Sequence, residues 1–82
     1  MDKDLGFADG LVEACGMLDR AIANRTSYAP ALSLLQSRMI TPEHGATAVE
    51  YLFRRGYVTA ATQLGELVNV DAITIGVRVS KG

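Results

Sequence analysis

Cysteine is almost absent from this chain, since Cys15 is the only one in 82 residues. An intrachain disulfide requires two thiols, and cysteine-based zinc sites require several, so both are excluded. No basic or histidine neighbour in the sequence would activate Cys15, and we expect it to be a buried structural thiol. A reducing, cytoplasmic compartment is the expected location.

Residues that carry catalytic chemistry are equally scarce. His44 is the only histidine, and a metal or general-base role would require partners that the sequence does not place beside it. The nine acidic residues are scattered without metal-ligand spacing, and no phosphate loop or nucleophile elbow is present. The sequence therefore predicts a non-enzymatic protein with no catalytic residues, no metal site and no cofactor. We expect His44 to be a surface or capping residue.

Excess positive charge and long apolar runs are also missing. Eight basic against nine acidic residues give a formal net charge of -1, whereas a strong grip on nucleic-acid phosphates needs a basic face. No segment approaches the length of a membrane span, and no cationic start leads into an apolar run. We therefore expect neither a membrane location nor a secretory signal.

What is present is typical of one small globular domain. Hydrophobic residues make up 49% of the chain and charged residues 21%, which distinguishes it from a disordered chain. We predict a single domain over residues 1–82, with the polar residues 1–8 fraying. A chain of this length forms only a modest core, so burying a face against a second copy would stabilise it.

Helical periodicity predicts two helices in the first half of the chain. The first should follow an Asp9 cap and end near Asn24, with one apolar stripe formed by Leu11, Val12, Cys15, Leu18 and Ile22. A shorter helix should start at Ser27 or Ala29, because proline is tolerated in a first helical turn.

Two more helices are predicted in the second half. Thr41 and the following proline predict a helix from Pro42 to Arg55, ended by Gly56 in the left-handed conformation. The next should run from Ala60 to about Val68 and stop at Asn69, which tolerates the same conformation.

The C-terminal segment changes its period. Between Val70 and Ser80, β-branched residues alternate with polar residues and glycine, which is typical of a half-buried strand. A lone strand needs a partner, and the simplest one is the same strand of a second copy. The predicted fold is therefore mainly α, with four short helices and one C-terminal β-strand paired across a homodimer.

The segment from Val49 to Asp71 resembles a known helical hairpin. The residues that carry the resemblance are Tyr51, Leu52, Gly56, Tyr57, Ala61 and Leu64. Their helix–Gly-Tyr–helix arrangement is similar to LisH hairpins, which are dimerisation modules. The resemblance implies self-association through the apolar faces of the two helices, and it covers no more of the chain than this segment.

The segment from Ala61 to Ser80 also resembles a DNA-binding helix-turn-helix. Leu64 and Val68 would pack inward, Gly65 would lie at the crossing, Asn69 would form the turn, and Ile75 would anchor the second helix. Under this interpretation, phosphate contacts would come from Arg54, Arg55, Arg78 and Lys81. The outward positions would be poor readers of bases, because they are Asp71, Ala72, Ile73, Gly76 and Val77.

We therefore predict a non-enzymatic protein-interaction module that dimerises and binds, regulates or inhibits another protein. Its partners would be a second copy of itself and a further protein. The residues predicted at the partner and dimer interfaces are Tyr51, Phe53, Tyr57, Leu64, Ile73, Ile75, Val77 and Val79. The alternative is a helix-turn-helix transcriptional regulator that binds DNA.

Overall fold

In the computed structural model, residues 3–81 are described, with side chains from residue 5 onward. This part of the chain contains five helices and no strand: α1 (Lys3–Asn24), α2 (Ala29–Arg38), α3 (Pro42–Arg54), α4 (Val58–Leu67) and α5 (Ala72–Lys81). Helices α1 and α2 form one compact unit, and α3, α4 and α5 form a second. A single domain over 1–82 with fraying at 1–8 stays a prediction, and residues 1 and 2 lie outside the described range.

Helix α1 is longer than predicted and buries a different face. It begins at Lys3 instead of after Asp9, so Asp9 is an interior helical residue and not a cap. Its buried residues are Phe7, Leu11, Ala14, Leu18 and Ala21. The predicted stripe was wrong at Val12 and Ile22, which are 67% and 52% exposed. Periodicity alone could not choose the buried face, because α1 has apolar residues on two adjacent faces.

Helices α1 and α2 form an antiparallel hairpin. The guanidinium of Arg38, at the end of α2, donates to the carbonyl of Gly6 near the start of α1 at 3.4 Å. Ala31, Leu32 and Leu35 form the buried face of α2. The hairpin thus buries mostly alanine and leucine, whose small or flexible side chains allow close helix packing.

The start of α3 follows the sequence prediction. Thr41 is extended, Pro42 lies in the first turn, and His44 Nδ1 accepts the Thr41 backbone N–H at 3.4 Å. The capping role expected for His44 is therefore confirmed, whereas a surface location is wrong because the side chain is only 6% exposed. The helix ends one residue before the predicted Arg55.

Left-handed residues end α3 and α4, as the sequence predicted. Gly56 has φ 89°, and the following Tyr57 N–H donates to the Leu52 carbonyl at 2.9 Å. Asn69 has φ 57°, and the following N–H, of Val70, donates to the Gly65 carbonyl at 2.9 Å. Both arrangements are Schellman-type ends, which satisfy carbonyls left over at the helix terminus.

The predicted C-terminal strand is wrong, because the segment forms α5. Asp71 starts this helix by accepting the Thr74 backbone N–H at 3.1 Å and the Thr74 hydroxyl at 2.7 Å. Ala72 and Ile75 are buried one helical turn apart, so their burial outweighs the β-propensity of the segment.

Because the segment is helical, the predicted strand-pairing interface cannot form. Its four apolar residues were expected on one face, but helical geometry distributes them around α5. Ile75 is buried, Val79 is half-buried, and Ile73 and Val77 are exposed. The antiparallel pairing of two such strands across a homodimer is therefore not available to this fold.

Gly65 lies where α4 packs closely against the start of α5. A Cβ atom on Gly65 would lie 2.7 Å from the Ala72 Cβ and 3.1 Å from the Val70 carbonyl oxygen. Both distances are shorter than normal van der Waals contact, and neither obstacle is the end of a flexible side chain. The missing side chain of Gly65 therefore sets how α5 packs on α4, next to the fully buried Leu64.

We predict that Gly65→Ala destabilises the protein, because the added methyl group forces α5 away from α4. The expected loss in free energy of unfolding is about 1–3 kcal/mol, measured by urea denaturation followed by far-UV circular dichroism. Gly6→Ala is the matched control, since nothing lies within 4 Å of a Cβ at that helical position. It should stabilise the protein by about 0.5–1 kcal/mol. Equal stability of the two variants would contradict this account.

Candidate functional site

The candidate site is an open groove on the C-terminal unit, which we call the α5 groove. Helices α3, α4 and α5 each contribute to it, and its volume is about 480 Å³. Its lining residues are Phe53, Val58, Thr62, Ile73, Gly76, Val77, Ser80 and Lys81. The lining is mostly apolar, with hydroxyl groups and one lysine at the edges.

Gly76 and Phe53 make the floor of the α5 groove. A Cβ atom on Gly76 would lie 3.0 Å from Phe53 Cζ, so the aromatic ring packs directly against the α5 backbone. Phe53 is half-buried and keeps part of its ring accessible. A larger residue at position 76 would occupy this space, so glycine is what keeps the groove open.

Exposed aliphatic side chains form the walls. Ile73 is 77% exposed, and Val77, one turn further along α5, is also exposed. Val58 is exposed on the α4 side. Scattered exposed aliphatic residues are ordinary, but three of them around an accessible aromatic ring form a contiguous apolar surface of the kind that binds partners.

The predicted interface residues divide between core and groove. Leu64 and Ile75 are buried, so they hold the helices together and do not reach a partner. Tyr51, Tyr57 and Val79 are half-buried, and none of them lines the groove. The structure brings together the remaining three, which are Phe53, Ile73 and Val77.

Sequence reasoning missed Val58 and Gly76 as groove residues. Val58 lies before the fourth helix predicted from Ala60, whereas in the structure it is the first residue of α4. Gly76 belongs to the alternating pattern that predicts a strand, and glycine is unfavourable inside a helix. An exposed valine and an interior helical glycine are usually uninformative, so only the packing against Phe53 identifies them.

One carboxylate binds two of the basic side chains proposed for phosphate contacts. Glu50 accepts from Arg54 at 3.0 Å within α3 and from Arg78 of α5 at 2.6 Å. The hydrogen bond from Arg54, followed by that from Arg78, lowers the pKa of the Glu50 carboxyl below its usual value. This ion pair joins α3 to α5 and leaves less positive charge on the surface for a polyanion.

The other two predicted basic residues lie apart from this ion pair. The Arg55 guanidinium lies over the Tyr51 ring, 4.9 Å from its centroid, which is a cation–π arrangement. Lys81 is exposed and lies at the edge of the α5 groove. The four basic residues therefore form no continuous basic stripe along one helix.

Two smaller depressions lie on the same unit. One, of about 260 Å³, is lined by Ala46, Thr47, Glu50, Tyr51 and Arg54. The other, of about 200 Å³, lies beside the start of α5. Among the residues that the structure describes, no group of three or more histidine, cysteine or acidic side chains could hold a metal ion. Within the same range, no helix combines the length and the apolar character that crossing a membrane requires.

Comparison of the chain with protein-family models, curated proteins and solved structures found no match. The similarities to LisH hairpins and to helix-turn-helix domains therefore stay predictions.

We predict that acid weakens the Glu50 ion pair and with it the packing of α5 on α3. The folded-state pKa of Glu50 lies below its usual 4.5, so its stabilising effect is present above that pH and is lost as the pH falls through the lowered pKa. Glu50→Gln should therefore be less stable than the wild type at pH 7, with the difference shrinking towards pH 3. The measurement is urea denaturation across this pH range.

Glu66→Gln serves as the control, because Glu66 is an exposed acid on α4. This substitution removes one acid of the same unit without touching the ion pair that joins α3 to α5. High salt should reduce the effect of Glu50→Gln, since the pair is partly exposed. A stability difference for Glu50→Gln that does not change with pH would contradict the prediction.

Proposed function

We propose that this protein is a non-enzymatic protein-interaction module that dimerises and binds another protein through the α5 groove, thereby regulating or inhibiting it. The observation that carries the proposal is the apolar surface of Phe53, Val58, Ile73 and Val77, which this chain leaves uncovered. Burying such a surface provides the main favourable free energy of most protein–protein association.

The shape of the groove favours a helical occupant. The α5 wall from Ile73 to Lys81 spans about 12 Å, which corresponds to about two turns of a helix. An amphipathic helix with apolar residues three and four positions apart would fill it, as in other helix-in-groove complexes. Lys81 at one edge would favour an acidic residue at the corresponding end of the bound helix.

We predict that Val77→Asp prevents partner binding, because a carboxylate in the wall of the groove would have to be desolvated. The test is affinity capture from a lysate of the native host, with quantitative mass spectrometry of the captured proteins. Leu67→Asp is the matched control, because Leu67 is a similarly exposed aliphatic residue on α4 that does not line the groove.

A protein captured by the wild type and by Leu67→Asp, but depleted about 30-fold or more with Val77→Asp, would support the groove. Circular dichroism should show that both variants remain helical, since both positions are exposed. Equal capture by Val77→Asp and the wild type would contradict the proposal.

DNA binding is the second candidate function, and one observation favours it. Helices α4 and α5 are joined by the short turn 68–71, with Gly65 at their crossing and Ile75 buried. Helix-turn-helix proteins have this arrangement and place the second helix in the major groove. The exposed face of α5, however, presents Ile73 and Val77, and Arg78 is held by Glu50. We therefore place DNA binding second.

We expect no binding to random-sequence duplex DNA, even at low salt, in a fluorescence anisotropy titration. The physical reason is that Glu50 binds both Arg54 and Arg78 and cancels one of their two positive charges, so less counterion release is available. Binding that falls steeply with salt and disappears in Arg78→Ala/Lys81→Ala would instead favour the regulator. Arg25→Ala is the control, because this exposed arginine lies outside the three-helix unit.

A further inference from the structure

Helix α1 carries a second apolar stripe that the fold leaves exposed. Leu5, Val12 and Ile22 are exposed on it, and Ala8, half-buried Cys15 and Asp19 lie between them. The spacing along the stripe is 3, 4, 3, 4 and 3 residues, which is the heptad spacing of a coiled-coil seam. This stripe is adjacent to the buried face that α1 uses in its own hairpin, so α1 is apolar on two sides.

The stripe is symmetric about its own midpoint, between Glu13 and Ala14. Reversing the helix about that point brings Leu5 to the level of Ile22, Ala8 to that of Asp19, and Val12 to that of Cys15. A two-fold axis requires that one surface patch pair with an identical copy of itself. A stripe that reverses onto itself meets this requirement without any change of register.

We propose that two copies of this protein pair through the exposed stripe of α1, antiparallel across a two-fold axis. The layers of the interface would then be Leu5 with Ile22, Ala8 with Asp19 and Val12 with Cys15, each present twice. This inference depends on the dimerisation included in the proposed function, but it uses a surface separate from the α5 groove. It also replaces the strand pairing that the fold excludes.

Charge complementarity supports the antiparallel arrangement. Asp9 and Arg20 lie on the same flank of the stripe, at opposite ends of α1, and antiparallel pairing places like flanks side by side. With 1.5 Å of rise per residue, the backbone of Asp9 in one copy would lie about 3 Å along the helix axis from the level of Arg20 in the other copy. The Arg20 guanidinium lies back towards Gly16, 3.7 Å from where a Cβ there would be.

Small residues suit close contact along the stripe. Ala8 leaves room for the Asp19 carboxylate opposite it, one layer in from each end of the interface. The two Cys15 side chains would lie on either side of the two-fold axis, about 4.5 Å apart along the helix axes. The largest apolar residues, Leu5 and Ile22, would close both ends of the interface.

The first test is sedimentation equilibrium on the full chain. We expect the wild type to dimerise and Val12→Asp to raise the dissociation constant about 30-fold or more, because two carboxylates would be buried near the axis. Leu67→Asp should dimerise like the wild type. A wild type that is monomeric up to about 0.5 mM would overturn the inference.

Cross-linking tests whether the two α1 helices pair antiparallel or parallel. In a Cys15→Ala background, Ala8→Cys alone should not cross-link to itself with a short bis-maleimide, since the two introduced thiols lie about 16 Å apart along the helix axes. Mixed with Asp19→Cys in the same background, it should give a covalent heterodimer. Self-cross-linking of Ala8→Cys without the mixed product would show parallel pairing and overturn the inference.

Exchanging the charges of Asp9 and Arg20 gives an independent test of the antiparallel register. Asp9→Arg and Arg20→Asp should each weaken the dimer, and the double variant should restore its dissociation constant to within about threefold of the wild type, because the pair is re-formed with reversed sign. Failure of the double variant to recover would count against the proposed register. Loss of the dimer in Val77→Asp together with its retention in Val12→Asp would overturn the inference. If the wild type is a monomer that still captures a partner protein, the α1 dimer is overturned while the proposed role of the α5 groove is still supported.

Discussion

The close contact between Gly65 of α4 and Ala72 of α5 is the constraint on which the C-terminal unit depends. It requires a residue without a side chain at the crossing and a left-handed residue, Asn69, in the turn that leads to it. Once α5 is held there, Ile75 is buried, and Ile73 and Val77 must face outward. The α5 groove is thus a consequence of how closely two helices approach.

A second close contact gives the groove its floor. Gly76 packs on the Phe53 ring, so α5 lies directly against α3 at this point. On another side of α5, the Glu50 carboxylate binds Arg78 and Arg54 together. The apolar contact sets the distance between α3 and α5, and the ion pair adds a directional, pH-dependent link. It also cancels one of the two positive charges at this surface.

Much of the helical pattern was predictable from the sequence. Thr41 and Pro42 mark the start of α3, and Gly56 and Asn69 mark the ends of α3 and α4, because capping and left-handed residues act locally. Cys15, expected to be buried, is half-buried on the stripe of α1 that the fold leaves exposed. Of the eight predicted interface residues, only three meet in the groove.

The wrong predictions share one physical reason, which is that a local sequence pattern does not record tertiary contacts. The prediction of a strand from Val70 to Ser80 used β-propensity and a two-residue period, both of which are weak next to an Asp71 cap and the burial of Ile75. The wrong stripe on α1 arose because two apolar faces overlap on one helix, and periodicity cannot assign them to different partners.

By itself, the sequence determined the start of α3 and the left-handed residues that end α3 and α4, and its single cysteine excluded an intrachain disulfide. These features depend on residue type and on neighbours within a few positions along the chain. Only the tertiary structure decided that the last segment is a helix, which face of α1 is buried, and that Phe53, Ile73 and Val77 form one surface. Those outcomes depend on contacts between residues far apart in the chain, whose packing no local pattern records.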